Sequence, residues 1–147
     1  MRGHLGDVLA ALDYLGGLDF VDGERVAMIG FSRGAALTFM AASKDIAIKE
    51  AVIMASAFPP KRSGFTLKKA NRINVPVLML VAENDTGSRK THDQDTVAGM
   101  QRMAAALEQG GNTPKQIVYP SYGNDGHEMF FEVGKYWPDV IAFLKQL

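Results

Sequence analysis

Leu5, Val8, Leu9, Leu12 and Leu15 recur at helical spacing, and Gly16-Gly17 closes the run, which predicts an amphipathic helix over roughly 4–16. A turn follows at Asp22-Gly23. Val26–Phe31 is then a short, nearly continuous apolar run, the pattern of a strand buried on both faces of a parallel sheet. Ser32 sits at its end, and Ala35, Ala36, Leu37, Met40 and Ala41 predict a helix of small residues able to lie close to a sheet.

The same alternation returns three times, with strands near Glu50–Ala55, Val75–Val81 and Gln116–Tyr119 and helices near 65–72, 93–109 and 136–147. Val97, Met100, Met103 and Leu107 line one face of the second of these helices, and Gly110-Gly111 ends it. Trp137, Val140, Ile141 and Leu144 line the last, where Pro138 is tolerated in the first turn. Strands alternating with helices predict an α/β fold: an open, mostly parallel sheet of about four strands, flanked by helices and joined by right-handed crossovers.

Composition narrows the functional classes. A chain of 147 residues, 47% apolar and 22% charged, predicts one soluble globular domain spanning 1–147. Sixteen basic residues balance sixteen acidic ones, which removes the electrostatic footprint of a nucleic-acid binder. The longest apolar stretches, near Ala51–Phe58 and Val75–Ala82, fall short of the roughly 18–20 residues that cross a bilayer. Asp7, Asp13 and Asp19 do not fit the uncharged middle of a signal peptide, so the expected location is cytoplasmic, with no membrane partner. Without cysteine there is no disulfide and no thiol nucleophile.

In such sheets, functional groups gather in the loops beyond the carboxyl ends of the strands. Gly30-Phe31-Ser32-Arg33-Gly34 is a G-x-S-x-G motif at a strand-to-helix junction, where glycines permit a turn too tight for Cβ atoms. A plainer reading of Ser32 is a helix cap. A serine hydroxyl is a weak nucleophile that needs a histidine base, itself oriented by a carboxylate. Asp85 follows the strand Val75–Val81 and His127 follows the last strand, in the order Ser, Asp, His. Rival bases are His4 and His92, each otherwise a solvated surface residue, and Glu83 and Asp125 stand near the candidate acid and base. Asp93 and Asp95 suit a helix start, and with His92 they make too sparse a set for a metal, so no metal and no cofactor is predicted. No phosphate-cradling glycine loop is present.

Over nearly its whole length the chain resembles the α/β-hydrolase superfamily, most closely its dienelactone-hydrolase-like and related esterase branch. Val26–Ala35 resembles the nucleophile elbow, Val75–Asp85 the strand that presents the acid, and Gly126–Phe131 the histidine loop. The resemblance implies Ser32 as nucleophile, His127 as general base and then acid, and Asp85 as its orienting partner. It implies the backbone N–H of Arg33 as one oxyanion-hole donor, and an ester or lactone as the small-molecule substrate. Alternatives are a truncated or catalytically weak hydrolase and a non-catalytic interaction module that keeps the fold.

Phe31, Phe58 and Met129, with Phe130 and Phe131, flank these residues and are candidates to line an acyl pocket. Pro59–Ile73 carries Lys61, Arg62, Lys68, Lys69 and Arg72 with no acid: a solvated face or, with Arg33, an attractor of anionic substrates. The family has further strands ahead of the helix with which this sequence begins, including the loop bearing the second oxyanion donor. Val26–Phe31 is therefore expected to be an apolar edge, and a homodimer covering it is predicted.

Overall fold

The two strands that carry the longest apolar runs, β2 (Glu50–Met54) and β3 (Val77–Ala82), are buried at every position. They are central in the computed structural model, which describes residues 2–44, 48–58 and 67–145. β1 (Ala27–Phe31) and β4 (Lys115–Tyr119) flank them, and all four strands run parallel in the order β1-β2-β3-β4. The register aligns Gly30 with Ile53 and Ile53 with Met79, while Ile29, Val52 and Leu78 share the opposite face.

Because successive side chains on a strand point to opposite faces, two apolar layers result. On one face Phe39 of α2 (Arg33–Ala42) and Met103 and Leu107 of α3 (Thr96–Gln109) pack with Ile53, Val77 and Met79. On the other, Val140 and Phe143 of α4 (Trp137–Leu144) pack with Val52, Leu78 and Leu80. Tyr119 ties α4 to β4 by donating from its hydroxyl to Asp139 Oδ2 at 2.6 Å. Burial, and then that bond and the Asp139 charge, push the Tyr119 phenol well above its ordinary value. α1 (Arg2–Gly16) lies against α2 with Leu5, Val8, Leu9 and Leu12 half-buried. Among the described residues no helix is long and apolar enough to cross a membrane.

Gly30 fixes how closely α2 approaches the sheet. A Cβ there would stand 2.3 Å from Gly34 O and 2.3 Å from Thr38 Oγ1, whereas one on Gly34 meets nothing within 4 Å. Of the two motif glycines, only Gly30 is demanded by contact.

Three expectations need correction. Val26–Phe31 is not buried on both faces: Gly30 is the one buried position of β1, and Ile29 is 38% exposed while Val52 beside it is fully covered. β1 is an edge strand. The helix predicted near 65–72 lies partly outside the described residues; Leu67 is helical, but a turn follows at 68–69 and Ala70–Arg72 form a short 3-10 helix. Finally, α3 starts at Thr96 and not at 93, because Asp95 caps it by accepting from Ala98 N at 2.8 Å, and His92 and Asp93 hold left-handed φ values of 53° and 57°.

Glu50 opens β2 on the face of Val52, 2% exposed, with Oε2 lacking a hydrogen-bond partner. Burial raises its pKa above the ordinary 4.5, because a charged carboxylate loses solvation there. The folded chain therefore holds this proton more tightly than the unfolded chain, so stability is full below pH 4.5 and is lost as pH rises through the folded-state value. Glu50→Gln removes that penalty. Urea unfolding at pH 7 should show the variant more stable by about 1 kcal/mol, with the difference vanishing near pH 4; a pH-independent difference would contradict the assignment.

Candidate active site

Ser32 joins β1 to α2 with φ 54° and ψ −114°, a conformation that L-residues rarely hold. Its N–H donates to Met54 O at 2.9 Å, so β2 fixes the turn. The hydroxyl makes no capping bond to α2, which sets the helix-cap reading aside. Arg33, exposed, opens α2, where an α-helix leaves its first backbone N–H groups without partners inside the helix.

His127 belongs to a 3-10 helix, Gly126–Phe130, that the apolar periodicity does not foreshadow. Asp125 caps it, its Oδ1 accepting from His127 N at 3.0 Å. The structure brings the three candidate residues into one line. His127 Nδ1 lies 2.8 Å from Asp85 Oδ2, and His127 Nε2 lies 3.1 Å from Ser32 Oγ. With Asp85 as a carboxylate, which only accepts, Nδ1 carries the hydrogen and Nε2 is left to accept from the Ser32 hydroxyl. Asp85 is fully buried and His127 is 3% exposed, so their bond is poorly screened by water.

What holds Asp85 and His127 in register is a set of hydrogen bonds between the loops that follow β3 and β4. Glu83 Oε1 accepts from Ser121 Oγ at 2.8 Å and Ser121 N at 3.1 Å. The hydroxyl bond first, and the backbone bond second, hold the Glu83 carboxyl below its ordinary range. Asn84 Nδ2 donates to Tyr122 O at 3.2 Å and Gly123 O at 3.4 Å, and Asn84 Oδ1 accepts from Tyr122 N at 3.0 Å. Behind Asp85, its own carbonyl accepts from Thr96 Oγ1 and Thr96 N, each at 3.0 Å, so the start of α3 braces the loop. Gly126 leaves no room for error: a Cβ there would stand 2.6 Å from Asn84 Oδ1 and 2.7 Å from Asp85 N. Sequence reasoning missed Asn84 and Thr96; the run of polar residues Glu83-Asn84-Asp85 directly after a buried strand was the available signal.

The rival groups are engaged elsewhere. Glu83 serves Ser121 and Asp125 caps, while His92 is exposed in its left-handed turn and His4 is exposed on α1, 4.0 Å from Asp7. Among the pocket candidates, the Phe31 ring lies 4.6 Å from the imidazole of His127. Phe58 and Met129 turn inward, to opposite faces of the sheet, and are 3% and 6% exposed. Phe130 is likewise buried, whereas Phe131 stands 55% exposed. Lys61 and Arg62 lie outside the described residues, and Lys68 and Arg72 are exposed.

Comparison with known proteins adds a family and a fold. A profile described as "Dienelactone hydrolase family" matches residues 2–124. No curated protein matches the chain. Among solved structures it is similar to dipeptidyl peptidase 4 of Porphyromonas gingivalis (TM-score 0.72, 17% identity, covering 97% of this chain and 22% of that one). It is also similar to a Klebsiella pneumoniae protein described as a dienelactone hydrolase (TM-score 0.73, 22% identity, 97% and 60% covered). A third is the acetyl xylan esterase of Paenibacillus sp. R4 (TM-score 0.64, 17% identity, 95% and 51% covered). At these identities the likeness is one of fold, and the chain spans from about a fifth to three fifths of those proteins' lengths.

If the side chain of Asn84 is what sets the histidine loop, Asn84→Ala should cost about 1–2 kcal/mol and loosen residues 121–127 selectively. Hydrogen exchange should quicken there while the amides of β2 and β3 keep their protection; uniform quickening would mean that Asn84 is only a general contributor.

Proposed function

The chain belongs to the dienelactone hydrolase family, and from that premise we propose that it is a serine hydrolase of the carboxylesterase type, cleaving small ester or lactone substrates through an acyl-enzyme. The observation that carries this reading is the unbroken line from Ser32 Oγ to His127 Nε2 at 3.1 Å and from His127 Nδ1 to Asp85 Oδ2 at 2.8 Å. Each group then has a part. As Ser32 Oγ bonds to the substrate carbonyl carbon, its proton passes to His127 Nε2, and the buried Asp85 carboxylate steadies the imidazolium. Negative charge moving onto the carbonyl oxygen meets the N–H of Arg33 at the start of α2. When the tetrahedral intermediate collapses, the carbon–oxygen bond to the alcohol breaks and His127 returns the proton to the departing oxygen. Water, deprotonated by the same nitrogen, attacks the acyl-Ser32 ester, the acid leaves, and the proton returns to Ser32.

The left-handed φ of Ser32 supports the role, since backbone strain at a residue that makes no cap has no structural use here. Phe31 contributes an aromatic wall at the imidazole. The exposed side chain of Arg33, next to Ser32, favours substrates bearing negative charge, whereas Lys90 near this end of the sheet is paired with Glu128. The substrate contact expected of Phe58 and Met129 drops out of this reading, because both side chains are buried in the core, on opposite faces of the sheet.

A fluorophosphonate probe should label the purified protein at Ser32, and p-nitrophenyl acetate should be hydrolysed. Ser32→Ala should abolish labelling and lower kcat by at least about a thousandfold, and Asp85→Asn by about 10³–10⁴ because the imidazole loses its tautomer. An unlabelled wild-type protein whose rate equals that of Ser32→Ala would end the reading.

The exposed β1 edge supports a second part of the proposal, a homodimer. Ile29 is 38% exposed on that strand, Phe20 in the preceding turn is 85% exposed, and α1 keeps its apolar face only half covered. Light scattering at micromolar concentration should report twice the 16.0 kDa chain mass, and Ile29→Lys should halve it; a monomeric wild-type chain is incompatible with the dimer.

A further inference from the structure

Phe131 is a large apolar side chain left in water beside the candidate active residues. It is 55% exposed, although its neighbours Met129 and Phe130 are both buried. It is also held in place. Its ring meets Phe31 nearly edge-on at 5.9 Å and His127 edge-on at 6.2 Å, and Lys90 Nζ lies 5.4 Å from its centroid. Lys90 is itself fixed by an ion pair with Glu128. A ring already ordered by three neighbours loses little further freedom when another flat group stacks on it, so binding there carries a small ordering cost.

Its position relative to His127 decides which part of a substrate it meets. The acyl carbon bonds to Ser32 Oγ, but the departing alcohol oxygen must take its proton from His127 Nε2 and therefore lies on the imidazole side. Phe131 packs edge-on against that imidazole. Resting on the reading of Ser32 as nucleophile, we propose that Phe131 is a specificity-determining residue for the alcohol portion of the substrate, its exposed ring forming a shelf for an aromatic leaving group. The substrate class is then esters of aryl alcohols. Attack by Ser32 Oγ breaks the bond between acyl carbon and aryl oxygen, and the proton from Ser32, carried by His127, leaves with the phenol.

Phenyl acetate and methyl acetate test this together, since both leave the same acetyl group on Ser32 and differ only in the alcohol. Phe131→Ala should lower kcat/KM for phenyl acetate about 2- to 10-fold, as expected for one lost aromatic pair, through KM with kcat unchanged. Methyl acetate should be hydrolysed as by wild type. Phe131→Trp should restore phenyl acetate, and Phe131→Leu, which keeps apolar bulk without a ring, should show the selective loss. Equal losses on both esters would assign Phe131 to the positioning of His127 instead, and no loss on either would leave the shelf without a role; both outcomes overturn the proposal while leaving the serine-hydrolase reading intact. Wild-type protein that neither hydrolyses these esters nor labels at Ser32 would remove that reading, and the shelf with it.

Discussion

The hydrogen bonds between the loops after β3 and β4 are the constraint on which the rest of the site depends. Three successive residues, Glu83, Asn84 and Asp85, each grip the segment 121–127, the first two through Ser121, Tyr122 and Gly123 and the third through the imidazole. The β3–β4 ladder ends at Ala82 and Tyr119, with Glu83 N still donating to Tyr119 O. Beyond that point side chains continue the pairing that the backbone has given up. A parallel ladder delivers its strands in register but leaves the loops free to diverge; the polar run converts the strand register into a side-chain geometry at Asp85 and His127. Gly126 is the steric counterpart, since the two loops close to a distance at which a Cβ would collide with Asn84 and Asp85.

The serine side is set by a different force. The position of Ser32 follows from the close approach of α2 to β1 at Gly30 and from the bond of its N–H to Met54 O. Close packing is rigid, because the surrounding atoms have nowhere to move. The candidate site thus joins a sterically fixed serine to a hydrogen-bonded carboxylate and imidazole, and Phe31 bridges the halves. It leaves β1 immediately before Ser32 and lays its ring on the imidazole, so the residue between Gly30 and Ser32 carries packing from the steric half to the polar half.

What the sequence disclosed follows from which forces have a local signature. The four parallel strands and their helices were legible because apolar period and small-residue runs are local. Ser32, Asp85 and His127 were legible because chemistry and chain order together restrict the choice, and their mutual distances bring the same three together. Asn84 was not, since an asparagine after a strand reads equally as turn, cap or surface. Phe31, Phe58 and Met129 look alike as apolar neighbours of the candidate site, yet Phe58 and Met129 are buried on opposite faces of the sheet while Phe31 lies against the imidazole. Only tertiary packing separates them. The segment 68–72 departs from the expected helix for a related reason: so short a window gives too little length to tell a 3-10 helix from an α-helix.

The aromatic cluster bears on how an apolar wall and the proposed general base coexist. In the proposed reaction the imidazole takes up a proton, and a charged group loses solvation when it is enclosed; His127 is 3% exposed. Two features of its surroundings offset that loss. Asp85 supplies a carboxylate at 2.8 Å, and the Phe31 ring lies 4.6 Å from the imidazole at a tilt of 38°. Aromatic faces attract cations without competing for the hydrogen bonds at Nδ1 and Nε2. A polar wall in their place would offer acceptors to Nδ1–H or donors to Nε2 and would divert the imidazole from Asp85 and Ser32. An aliphatic wall would exclude water equally but give nothing to the imidazolium. An aromatic ring at residue 31 therefore meets both demands at once, which leucine or serine there would not.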